Sequence, residues 1–240
     1  MILINNLDFS KNIALTLLQV PPEYNKEYPF IVYHPFIENN PVPTLDKNGK
    51  LKVIDIFNDK DGFKKVQKKI ENDINKANNF SKLLYLINKP YRMLFLLENY
   101  LLLNSSEFTK HLRNVWIDTE FPNADKNVSI NKIIKMFQTA NKIDLMDDEE
   151  LDLYNKLPEE VTIYRGTHDS ANSNALSWTL DYDIAHWFAT RFDNDGYVLK
   201  AKINKKDIFA FFNSRRENEI VINYKKIKDL TFEKVIKINI

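Results

Sequence analysis

Glu217 and Glu219 flank a single residue directly before the apolar run Ile220-Val221-Ile222. Alternate residues of an extended strand share a face, so this spacing predicts two carboxylates pointing to one side of a strand edge. Converging carboxylates can divide labour, one stabilising a developing oxocarbenium ion while the other handles a proton, as in glycoside hydrolysis. Arg165-Gly166-Thr167 ends another β-type run, Val161-Thr162-Ile163-Tyr164. A planar guanidinium there suits a pair of phosphate oxygens, and the glycine beside it lets a ligand approach the backbone. Ser177-Trp178-Thr179 puts two hydroxyls on one face of an extended segment and an indole on the other. Aromatics and a cation follow in Trp187-Phe188-Ala189-Thr190-Arg191-Phe192.

Singly, each feature has an ordinary explanation. A strand-end arginine commonly forms a surface ion pair that contributes about 0 to 1 kcal/mol. Aromatics at helical spacing are commonly core, and a Glu-x-Glu strand edge is commonly a solvated one protected from aggregation. Their order along one stretch of chain is what raises a functional reading above these.

The elements that must position them follow from patterning. Three zones emerge, with boundaries at 1–59, 60–158 and 159–240. Six of the prolines, Pro21, Pro22, Pro29, Pro35, Pro41 and Pro43, crowd the first zone, which reads as an irregular or strand-containing extension of unknown role. The second repeats apolar residues at helical spacing, Phe63, Val66, Ile70 and Ile74, then Phe108, Leu112, Val115 and Trp116, and predicts about five helices. Ser129 and Asp147 stand where N-caps belong, and Asp148-Glu149-Glu150 supplies the acidic first turn that a helix dipole favours. The third zone is β-rich, with strands at Val161–Tyr164, Tyr197–Ala201 and Ile220–Tyr224. One helix interrupts them, capped by Asp181, with an expected apolar face of Ile184, Trp187, Phe188 and Phe192. The fold class is α+β: a helical N-terminal half followed by a β-rich half.

Composition removes other chemistries. With 240 residues, 44% of them hydrophobic, the chain can bury a core. Lys+Arg 34 against Asp+Glu 33 leaves a net charge of +1, which argues against charge-driven binding of nucleic acid. The absence of cysteine excludes thiolate metal sites and cysteine nucleophiles. The four glycines, Gly49, Gly62, Gly166 and Gly196, are too far apart for a phosphate-binding loop or a dinucleotide fingerprint. His34, His111, His168 and His186 are scattered, so no metal is expected. Polar residues interrupt Met1 to Val20, and Glu98 and Asn99 break the apolar run Leu94–Leu103. Neither a signal peptide nor a membrane span is expected, and the expected location is cytoplasmic.

Arginine on a first strand, Ser-x-Thr on a second and Glu-x-Glu at the head of a later one resembles the mono-ADP-ribosyltransferases of the Arg-Ser-Glu class. The resemblance runs from Val161 to Asn223, with Ser177-Trp178-Thr179 in place of the usual Ser-Thr-Ser. More weakly, Val115–Glu120 and Leu145–Glu150 look like the helical half of phage- and prophage-encoded members. The resemblance implies that 60–240 forms one ADP-ribosyltransferase domain, a split β-sandwich clasping NAD as substrate. It implies that Arg165 holds a phosphate, that the Gly166 backbone meets the nicotinamide carboxamide, and that Phe188 packs on the nicotinamide ring. Thr167 belongs to the same NAD-binding set. Ser177 would orient the active-site groups and Thr179 would support its strand. Glu219 would be the catalytic carboxylate, and Glu217 would activate or orient the acceptor. The segment Phe211–Arg216 falls where the family carries its target-recognising turn. A glycosyltransferase that moves ADP-ribose to a bacterial host protein follows, with host defence as a target in the phage setting. Two alternatives stay open: an NAD glycohydrolase, and a non-catalytic module that grips NAD or a partner. The Trp116–Glu120 segment reads either as partner-binding or as a cover over the NAD cleft.

Overall fold

A computed structural model of the chain describes residues 6–46, 48–119, 126–169, 173–192 and 195–236. The chain divides into two compact units, Met1–Asn104 and Ser105–Ile240. The expected zone boundaries at 59 and 158 therefore fall inside these units. The helices of 60–98 gather with the N-terminal segment, and those from Ser105 onward gather with the sheet.

The first unit opens with a helix, α1 (Asn6–Leu18), where an irregular or strand-containing extension was expected. Two short antiparallel hairpins follow: β1 (Glu23–Tyr24) with β2 (Val32–Tyr33), and β3 (Val42–Leu45) with β4 (Leu51–Ile54). Helix α2 (Lys60–Lys76) starts at Asp59, whose side chain accepts from the Gly62 amide at 2.7 Å. Asn79 caps α3 (Phe80–Leu86) in the same way, and a proline in the first turn opens α4 (Lys89–Glu98). Val66 of α2 packs with Val32, Ile37, Ile54 and Ile56, a small core that joins the hairpins to the helix.

The second unit contains α5 (Ser105–Asp118), α6 (Ile130–Thr139), α7 (Lys142–Leu145) and α8 (Asp148–Lys156). Among the described residues of 60–156 there are thus seven α-helices rather than about five. Ser129 occupies the N-cap position of α6 without a side-chain cap bond, whereas Asp147 and Glu150 form a reciprocal capping box on α8. Phe108, Leu112, Val115 and Trp116 of α5 are all buried, as helical spacing predicts.

A six-stranded antiparallel sheet completes this unit, in the order β10-β7-β5-β6-β9-β8. Its strands are β5 (Glu160–Thr167), β6 (Ser177–Thr179), β7 (Gly196–Asn204), β8 (Ile208–Phe212), β9 (Glu219–Ile222) and β10 (Lys228–Val235). The architecture is α+β with a C-terminal antiparallel sheet. β5 and β6 share one register pair, Tyr164↔Thr179, whereas β5 and β7 are paired from Glu160 to Thr167. Two three-stranded halves thus meet at a narrow neck.

Helix α9 (Tyr182–Thr190) lies on the β5–β7 side, with Asp181 accepting from the amides of Asp183 and Ile184. Its buried residues are Ala185 and Ala189, while Trp187 and Phe192 are 55% and 57% exposed. The expected aromatic face is therefore corrected. A Cβ at Gly166 would collide with the Ala185 carbonyl, and one at Gly196 with the Ala189 carbonyl. The helix backbone rests directly on two glycines, a spacing that leaves no room for rings in the contact.

Candidate functional site

The sheet neck collects the polar side chains. Glu219 opens β9, facing Thr179 of β6 on one side and Phe212 of β8 on the other in register. Its carboxylate accepts from the indole Nε1 of Trp116 at 3.0 Å and is hydrogen-bonded by the Ser177 side chain. Burial pushes the Glu219 carboxyl above the usual carboxylate range, and Glu217 adds to this. Ser177, Trp116 and Arg215 pull the other way, because they favour the charged form.

Arg165 reaches across the neck where β5 and β6 part: its Nη1 donates to the Ser177 carbonyl at 2.7 Å. Its Nε is buried without a hydrogen-bond partner. Burial lowers the guanidinium to about 10, with Glu219 opposing, so the side chain stays cationic at neutral pH. Arg165, Ser177 and Glu219 are thus in mutual electrostatic or hydrogen-bonding contact across three adjacent strands.

Glu217 is not on the strand. β9 begins at Glu219, and Arg216 (φ 58°) and Asn218 (φ 45°) are both left-handed, so the alternation expected of a Glu-x-Glu edge does not apply. A turn brings the carboxylate round instead. Ile117, Phe212, Ser214, Arg215, Glu217 and Glu219 line one small depression. The turn is held at both ends. The Thr179 hydroxyl donates to the Glu217 carbonyl at 2.7 Å, and the Asn213 amide donates to Glu150 Oε1 at 2.8 Å. Glu150 is 2% exposed and also accepts from Arg113 Nη1 at 2.7 Å.

The remaining expected residues have more local roles in the structure. The Thr179 hydroxyl also accepts from the Asp181 amide at 3.0 Å, which ties β6 to the start of α9. Thr167 exchanges hydrogen bonds with the backbone of Asp169. Gly166 is covered on its Cα side by α9, next to Phe188. One face of Phe188 is covered by the Arg191 guanidinium, 4.7 Å from the ring centroid. Thr179 is paired with Glu219 in register, and its hydroxyl, like that of Thr167, donates to a backbone carbonyl.

Arg113 was not among the residues expected at the site, and Trp116, Glu150 and Arg215 entered only through the segments Val115–Glu120, Leu145–Glu150 and Phe211–Arg216. Glu120, the end of the first segment, lies outside the described residues. A readable signal existed for Arg113 and Trp116, since they stand three apart on one helix and share a face. No signal in the sequence connects either of them to the strands.

Among the described residues, no helix is long and apolar enough to cross a membrane, and no group of three or more His, Asp or Glu side chains converges to hold a metal ion. No family model, curated protein or solved structure matches the chain.

Proposed function

We propose that the chain is a mono-ADP-ribosyltransferase, moving ADP-ribose from NAD to a protein acceptor with release of nicotinamide. The observation that carries the proposal is the meeting of Arg165, Ser177 and Glu219 at the neck of the sheet, on the strands where the sequence resemblance puts them. The narrow neck between β5 and β6 supports the same reading, because it suits a split sheet that clasps a dinucleotide.

In this proposal the diphosphate of NAD is held by the cationic Arg165, whose unpartnered Nε leaves hydrogen-bonding capacity at the site. Gly166, Thr167, Ser177, Thr179 and Phe188 complete the NAD-binding set. The bond from ribose C1′ to the nicotinamide nitrogen breaks, and nicotinamide leaves with the electron pair. Positive charge then develops on the ribose ring, where an ionised Glu219 stabilises it. Ser177 and Trp116 keep that carboxylate oriented and favour its charged form. The acceptor's nucleophile attacks C1′ and loses its proton to Glu217 across the shared depression. A bacterial host protein is the proposed acceptor, with the host cytoplasm as the setting and host defence as the target, on the resemblance to phage-encoded members.

The test is nicotinamide release from NAD by wild type beside Glu219→Ala, with and without bacterial lysate, followed by mass spectrometry of the lysate proteins. Lysate-dependent release with an ADP-ribosyl adduct supports the transferase and identifies the acceptor. Release without an adduct replaces it with the glycohydrolase. Binding of NAD with no release in any condition replaces it with a non-catalytic module.

A further inference from the structure

We infer that Trp116 is a positioning residue for Glu219: its indole N–H holds Oε1 in one orientation and so fixes where the second carboxylate oxygen meets the substrate. This rests on the reading of Glu219 as the reacting carboxylate.

The geometry is specific. Trp116 is 1% exposed, and its ring meets Phe137 edge-on, with centroids 5.0 Å apart and planes at 88°. Phe137 in turn stacks on Phe209 of β8 at 5.7 Å. An indole wedged in this way has no free rotation about its side-chain bonds, so its single donor points one way. That donor meets Glu219 Oε1 at 3.0 Å, from a helix 103 residues earlier in the chain. A buried indole needs only some acceptor, and a backbone carbonyl would serve: Trp178 donates to the Ala175 carbonyl at 2.9 Å. Trp116 donates instead to a carboxylate that burial already disfavours in its charged form.

The groups acting on Glu219 come from four places. They are Ser177 on β6, Arg165 on β5, Trp116 on α5, and both Glu217 and Arg215 in the turn before β9. Ser177 and the two arginines remain when the indole donor is removed, as do the burial and the Glu217 charge. Loss of the donor therefore shifts the carboxyl further toward its protonated form, and also frees it to rotate.

Trp116→Phe keeps an aromatic ring at the site and deletes the donor. In NAD turnover, kcat should fall about 10- to 100-fold, the scale of a misplaced catalytic group. KM for NAD should stay within about twofold, and the acid limb of the pH profile should move to higher pH. A variant that merely loosened the core would lower the rate at every pH without moving that limb.

A second measurement needs no activity. The chain has three tryptophans, so its indole ¹H–¹⁵N spectrum carries three resonances, and Trp116→Phe or selective labelling assigns one of them. That resonance should titrate with a midpoint above the usual carboxylate range in wild type and lose this step in Glu219→Gln. A flat titration, an identical one in Glu219→Gln, or an unmoved acid limb in Trp116→Phe would overturn the inference. If wild type turns over no NAD, the proposed function fails separately. The comparison of wild type with Glu219→Gln then still decides whether Trp116 orients the carboxylate.

Discussion

Glu150 at the start of α8 and Glu219 at the start of β9 are both drawn out of water, in the same unit, and their surroundings treat them differently. Glu150 receives three donors: Arg113 Nη1 at 2.7 Å, the Asp147 amide at 3.1 Å and the Asn213 amide at 2.8 Å. One is a cation, and Arg113 is itself further held by Asp147 at 3.1 Å and stacked 5.3 Å from the Phe212 ring centroid. Glu219 has an indole and a hydroxyl as its hydrogen-bond donors, faces the repulsion of Glu217, and is pushed above the usual carboxylate range by burial. A buried carboxylate with a full complement of donors is a structural anchor. One left short of them stores free energy that chemistry can use.

The largest effect that would break this contrast lies at Glu150. Glu150→Ala leaves Arg113 partly buried without its main partner and leaves the Asn213 amide unpaired. Unfolding in denaturant should show a loss of about 3 to 5 kcal/mol. A loss below about 1 kcal/mol would mean that the brace is a surface ion pair like any other. The turn carrying Glu217 should loosen as well, so any turnover of NAD should fall in the same variant.

Glu219→Gln comes next. It removes the charge and keeps the shape, so the protein should stay folded while nicotinamide release falls on the order of 10²- to 10³-fold. If Glu150→Gln lowered release as much while leaving stability untouched, the assignment of structural and reactive roles would be reversed.

How much of this was legible beforehand depends on distance along the chain. The caps at Asp147 and Asp181 were readable because each side chain meets an amide two or three residues on. The buried stripe of α5 was readable because it repeats with the helix period. The order Arg165, Ser177, Glu219 was readable as motifs, and the structure places the three on adjacent strands. What tertiary packing decides was not readable. The face of α9 was misassigned because ring size suggests core, whereas Gly166 and Gly196 admit only a close helix backbone with Ala185 and Ala189. Glu217 was assigned to a strand because alternation is a strand rule, and the left-handed Arg216 and Asn218 replace that strand with a turn. The Trp116 contact with Glu219 had no local signature.

Arg113→Lys sharpens the contrast at a smaller scale. Arg113 Nη1 donates to Glu150 and to the Leu145 carbonyl, and its Nη2 donates to Asp147. A lysine keeps the charge and loses the fork, so about 1 to 2 kcal/mol of stability should go. Rescue to wild-type stability would show that charge alone, rather than planar geometry, satisfies Glu150.

The smallest effect concerns stability and pH at Glu219. Its carboxyl is raised in the folded protein, so between the unfolded and folded midpoints the folded chain holds a proton that the unfolded chain has released. Stability therefore falls as pH rises through that window, and the deficit is complete above the folded midpoint. Glu219→Gln cannot lose a proton and should escape the deficit. The variant should be more stable than wild type by on the order of 1 kcal/mol near pH 7.5, the usual scale of a gain made where function is given up. The advantage should shrink as pH falls, and become independent of pH below the ordinary carboxylate range, where Glu219 is protonated in both states. Denaturant midpoints of the two proteins at pH 7.5, 5.5 and 3.5 check this. A constant difference across all three would mean that Glu219 is solvated well enough to titrate normally, and the contrast with Glu150 would lose its physical basis.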